Sequence, residues 1–132
     1  MTATAPTTAL PRRVPVCGER VHLPHRLVAD ALAFAAAGTA KPSDVQRLLR
    51  CTLQQHATGD HYAFVMDLDT PDTAVWTHWT QGHQPPTVLV LPDCDATGPQ
   101  PGHAPCCEFA AHSGAHTYDI NDPFNPSALE PR

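Results

Sequence analysis

The sequence predicts an α+β domain: an N-terminal αα-hairpin packed on a small, mainly antiparallel sheet of three or four strands, with a metal-pinned loop. Three observations predict it. Apolar residues recur at helical spacing up to about residue 56, and at His61 the period changes to two. Beyond the strands, residues 94–116 (CDATGPQPGHAPCCEFAAHSGAH) gather three of the five cysteines and three of the nine histidines in a stretch without periodicity.

In chain order, residues 1–20 mix Thr, Ala and Pro and read as a flexible arm. Cys17 and His22 lie at its end; Cys17 reads as a bystander thiol, although it is able to supply a ligand from a distance. Residues 21–123 form one domain. Pro24 suits a first helical turn, where its missing N–H costs nothing. Leu27, Ala31, Phe34 and Ala35 then share a face, and Gly38 ends the helix, giving a span of 24–37. A second helix over 44–56 follows from the S-x-x-Q capping box of Ser43 and Gln46. Its stripe is Val45, Leu48, Leu49, Thr52 and Leu53, with Arg47 and Arg50 facing outward.

HYAFVMDL places Tyr62, Phe64, Met66 and Leu68 on one face of a strand that is apolar on both sides. The turn DTPD leads to a second strand, AVWTHW. Trp76 and Trp79 are three apart there, so one belongs to the core and the other covers an edge. TVLVL is the third strand, and Pro92 ends it and delivers Cys94. TYDI reads as a last short strand, and residues 124–132 as a loose tail.

The long loop over 94–116 would be a liability in a domain of this size unless something pins it. Zinc takes four N or S ligands in a tetrahedron. The candidates are Cys94, Cys106 or Cys107, His112 and His116, a set with an H-x3-H half of usual zinc spacing but no C-x2–4-C knuckle. A Cys2His2 set leaves no open coordination position, so such a zinc is structural. His56 and His61, five apart across Gly59, do not have a helical metal spacing and read as loop residues; His78 and His83 read alike.

Composition narrows the function. Five cysteines fit a closed disulfide framework poorly, and with no secretory signal at the N-terminus the expected location is cytoplasmic. No apolar run approaches the ~18 residues of a membrane span. A net charge of −5 argues against nucleic acid as a partner. No HExxH, phosphate loop or dinucleotide fingerprint is present. The leading expectation is a small zinc-binding protein acting through a protein partner or in regulation. Its rivals are a metal- or Cys-dependent hydrolase, with Cys94 or Cys107 beside His112, His61 or Asp119, and a nucleic-acid-binding zinc module using Arg12, Arg13, Arg20, Arg47 and Arg50.

CCEFAAHSGAH is similar to a C-x5-H-x3-H segment, often ending GHxGxH, of uncharacterised small actinobacterial and actinophage proteins. The longer run HYAFVMDL…AVWTHW…VLVLPDC…CCEFAAHSGAHTYDINDP resembles such proteins over residues 61–123. The resemblance implies a zinc site, places its cysteine at Cys106 and its histidines at His112 and His116, and implies no known activity. Ala111 departs from the pattern, which has Gly there.

Overall fold

The computed structural model describes residues 13–123. Of the ends read as loose, residues 1–20 and 124–132, residues 1–12 and 124–132 lie outside the described residues. Strands β1 (Val14–Pro15) and β2 (Arg20–His22) precede the helix α1 (Arg26–Leu32). Strands β3 (Leu48–Arg50), β4 (His61–Asp67), β5 (Thr73–Trp79), β6 (Val88–Pro92) and β7 (Ile120–Asn121) follow. They form three sheets: an antiparallel β4-β5-β6 meander, an antiparallel β2-β3 pair and a parallel β1-β7 pair.

The architecture is therefore mainly β, and the expected helical hairpin is absent among the described residues. Its first half shrinks to α1, which buries Leu27, Val28 and Ala31 and packs on β6. Phe34, assigned to the same stripe, lies past the helix and is exposed.

The second half is not helical at all. Pro42–Asp44 makes one 3-10 turn, closed by Asp44 accepting from the Lys41 N–H at 2.9 Å, and Val45 is already extended. From there the chain is taken up by its neighbours. Gln46 N–H donates to Val65 at 2.9 Å, and Arg47 accepts from Leu23 N–H at 2.8 Å. Cys51 N–H donates to Glu19 at 2.7 Å, and Leu53 accepts from Cys17 N–H at 2.8 Å. Leu49, Cys51 and Leu53 face inward at period two, while Leu48, which a helix would bury, is 76% exposed. Apolar spacing in this stretch fits both periods, and backbone pairing with residues 15–23 and with β4 outweighs the few tenths of a kcal/mol per residue that helix propensity offers.

The meander lies where the alternation places it. β5 is its central strand, with His61 opposite Trp79 and Trp76 opposite Leu89. Both faces of β5 are covered, so Trp76 and Trp79 are both buried. Trp76 meets Phe64 and Phe109 edge-on, with centroids 6.1 and 5.1 Å away, and Trp79 lies 5.4 Å from the ring of His61. TYDI divides into a 3-10 turn, Thr117–Asp119, and β7.

Candidate metal centre

The loop after β6 is held to the sheet before any ligand is considered. Ala110 N–H donates to Pro92 at 2.8 Å, and Cys94 N–H to Glu108 at 2.9 Å. Between them Phe109 inserts its ring against Tyr62 and Trp76, at 4.6 and 5.1 Å. Burying such a ring contributes about 2–3 kcal/mol. The Pro- and Gly-rich residues fold back on themselves, with Gly98 N–H donating to Ala104 at 2.8 Å and Cys106 N–H to Ala96 at 3.0 Å. This brings Cys106 back beside Cys94. Gly98 lies under the Tyr118 ring, where a Cβ would stand 3.2 Å from two ring carbons.

Cys94, Cys106, His112 and His116 consequently converge, their ligand atoms all within 4.8 Å of one another. Cys94 Sγ is 3.6 Å from His116 Nδ1, Cys106 Sγ is 3.5 Å from His112 Nε2, and the two ring nitrogens are 3.1 Å apart. Zn–S bonds near 2.3 Å and Zn–N bonds near 2.0–2.1 Å, set tetrahedrally, require S···N edges of about 3.5 Å and N···N edges of about 3.3 Å. The observed edges have that size. His112 Nδ1 lies 3.1 Å from the Ser113 carbonyl; donating there fixes the tautomer that leaves the Nε2 lone pair facing the sulfurs. The ring of His116 is stacked on Tyr118 at 5.3 Å.

Cys107 stays outside the group. It is exposed, its N–H donates to Thr117 Oγ1 at 2.8 Å, and its Sγ faces the Pro105 carbonyl at 3.8 Å. Adjacent cysteines point apart, and Cys106 is the one turned inward.

A second group has the same composition. Cys17, Cys51, His56 and His61 also place their ligand atoms within 4.8 Å of one another. Cys17 Sγ is 3.3 Å from His61 Nδ1, and Cys51 Sγ is 3.6 Å from His56 Nε2. Cys17, read as a bystander able to supply a ligand from a distance, and His56 and His61, read as loop residues, are thus brought together with Cys51. The signal was hidden by the helix assigned to 44–56, which places Cys51 on a helical turn rather than in backbone pairing with Glu19, two residues from Cys17. Gly59, at φ +88°, turns the chain so that His56 returns to the start of β4, its ring 4.8 Å from that of His61. Each of these two groups could hold a metal ion.

Each group contains a buried thiol whose ionisation burial opposes. Burial pushes the Cys51 thiol up to about 12, against backbone N–H groups of Tyr62 and Leu53 that favour the thiolate. Burial likewise raises Cys106, opposed by the N–H groups of Thr117 and Glu108. Donors already aimed at the sulfur are an arrangement for S⁻, and a bound divalent ion supplies the charge that deprotonates the thiol outright. Burial, with the nearby His56 charge, lowers His61 and keeps the imidazole neutral, the form that ligates.

Comparison with family models, curated proteins and solved structures finds no match.

The remaining candidates are dispersed. His78 pairs with Asp60 at 2.8 Å, beside a shallow groove that includes Trp79, Thr80 and His83. For the nucleophile reading, Cys94 faces His116 while Cys107 faces a carbonyl. Of the arginines proposed for a basic patch, Arg50 is in an ion pair with Asp122 at 2.8 Å, Arg47 donates to the Pro42 carbonyl at 3.2 Å, and Arg12 lies outside the described residues. No described helix is long and apolar enough to cross a membrane.

Proposed function

We propose that this chain is a small zinc-binding protein in which zinc held by Cys94, Cys106, His112 and His116 is structural. The observation that carries the reading is the convergence of the four ligand atoms within 4.8 Å, with three of their separations at 3.1 to 3.6 Å and His112 oriented by its own contact to the Ser113 carbonyl. Two thiolates and two imidazoles are a zinc set, and four protein ligands leave no position for water or substrate.

The ion closes the loop of residues 94–116 onto β6. Closing a flexible loop of this length costs about 3 kcal/mol of chain entropy. Structural zinc supplies about 10–16 kcal/mol in small peptides, so metal binding outweighs closure and becomes folding free energy. The finished surface acts through a protein partner in the cytoplasm. An acidic net charge supports a protein rather than a nucleic-acid contact.

Elemental mass spectrometry on untagged protein tests the metal. The wild type carries zinc, and His112→Ala/His116→Ala loses one equivalent together with thermal stability. Loss of zinc without loss of stability would point to an open, catalytic ion, and an unchanged zinc content would refute the ligand assignment.

A further inference from the structure

The group formed by Cys17, Cys51, His56 and His61 shares no residue with the loop site, and no step of the proposed function uses it. We infer that it is a second zinc site, which ties the segment after β1 to the start of the meander.

Three observations carry this. First, the S···N contacts of 3.3 and 3.6 Å match the edge of about 3.5 Å that tetrahedral zinc requires. Two unrelated S–H···N hydrogen bonds would give similar pair distances, but they would not bring all four ligand atoms within 4.8 Å of one another. Second, the imidazoles are set for coordination. His56 Nδ1 is 2.9 Å from the Thr58 carbonyl, so donation there leaves Nε2 bare toward Cys51. His61 is held with Nδ1 toward Cys17 by the neighbouring Trp79 ring. The loop site uses the same arrangement, one histidine ligating through Nε2 with its Nδ1 on a carbonyl and the other through Nδ1 with its ring against an aromatic.

Third, the group is enclosed. Cys51 and His61 are buried, and Cys17 and His56 are half-buried or at the rim. The surrounding backbone is paired, through Cys17 N–H to Leu53 and Gly18 N–H to Cys51, at 2.8 and 2.9 Å. Two sulfurs and two nitrogens with no fifth position select zinc over hard cations such as Mg²⁺ or Ca²⁺, which take oxygen ligands.

Native mass spectrometry on the full chain, with zinc as the probe, tests the site. The wild type is expected to carry two zinc ions, Cys17→Ser/His61→Ala one, and His112→Ala/His116→Ala one. A wild type holding one zinc that survives Cys17→Ser/His61→Ala overturns the second site and leaves the loop site standing. One zinc that is lost in that variant but survives His112→Ala/His116→Ala supports the second site and removes the first.

Should Cys17→Ser/His61→Ala fail to fold, His61→Cys in the cobalt-substituted protein decides. A cysteine there keeps four ligands and adds a thiolate, so the thiolate-to-cobalt absorption band rises by about a quarter over that of the doubly loaded wild type. An unchanged band would show that residue 61 does not touch the metal and would overturn the inference.

Discussion

Gln54 Oε1 accepts a hydrogen bond from the backbone N–H of Ala115 at 2.9 Å. Gln54 belongs to the turn between Cys51 and His56, and Ala115 to the turn between His112 and His116. The two ligand-bearing turns are therefore in direct contact, although they are about sixty residues apart in the chain.

Replacing Gln54 by Ala leaves the Ala115 N–H without its partner. The expected cost is about 1 kcal/mol of stability in the zinc-loaded protein, read by chemical denaturation. Zinc bound by His112 and His116 also leaves faster to a chelator. Gln54→Glu keeps an acceptor oxygen and retains most of the wild-type release rate. Equal release from wild type and Gln54→Ala would show that the contact does not brace the site.

Gly114 meets the same side chain from the other direction. It has φ +78°, and a Cβ there would stand 2.8 Å from Gln54 Cβ. Gly114→Ala therefore combines an unfavourable left-handed backbone with a clash, costing about 2–3 kcal/mol. Gly82, at φ +84° with nothing within 4 Å, isolates the backbone part; Gly82→Ala costs about 1 kcal/mol. Thermal melts that lower both variants equally would remove the close approach from the account.

Glu108 is buried beside the loop site. Burial pushes its carboxyl up to about 7, although Thr52 and the Arg50 charge pull it down. A group raised in the folded state favours folding below its unfolded pKa, near 4.5, and loses that contribution as pH rises through about 7. Glu108→Gln removes this term. The variant is expected to gain stability relative to wild type at pH 8 and to lose the gain near pH 5, on the order of 1–3 kcal/mol between the two. A stability difference that does not vary with pH would mean that Glu108 stays ionised throughout.

The loop site was legible in the sequence because its ligands fall within one stretch, and the H-x3-H spacing survives folding. The meander was legible for a related reason: HYAFVMDL, AVWTHW and TVLVL alternate locally, and each pairs with its sequence neighbour. Residues 44–56 were misread because the apolar pattern from Val45 to Leu53 admits two periods. The deciding hydrogen bonds come from residues 15–23 and from β4, which no local window contains. The approach of Cys51 to Cys17 depends on the same pairing, in which Cys51 N–H donates to Glu19 and Gly18 N–H donates to Cys51, rather than on spacing.

The most direct test of the central claim is X-ray absorption at the zinc edge of the purified, untagged protein. The account predicts four neighbours per zinc, two sulfurs near 2.3 Å and two imidazole nitrogens near 2.0–2.1 Å, with outer-shell scattering from the histidine rings. A sulfur-free shell of oxygen and nitrogen with five or six neighbours would contradict it.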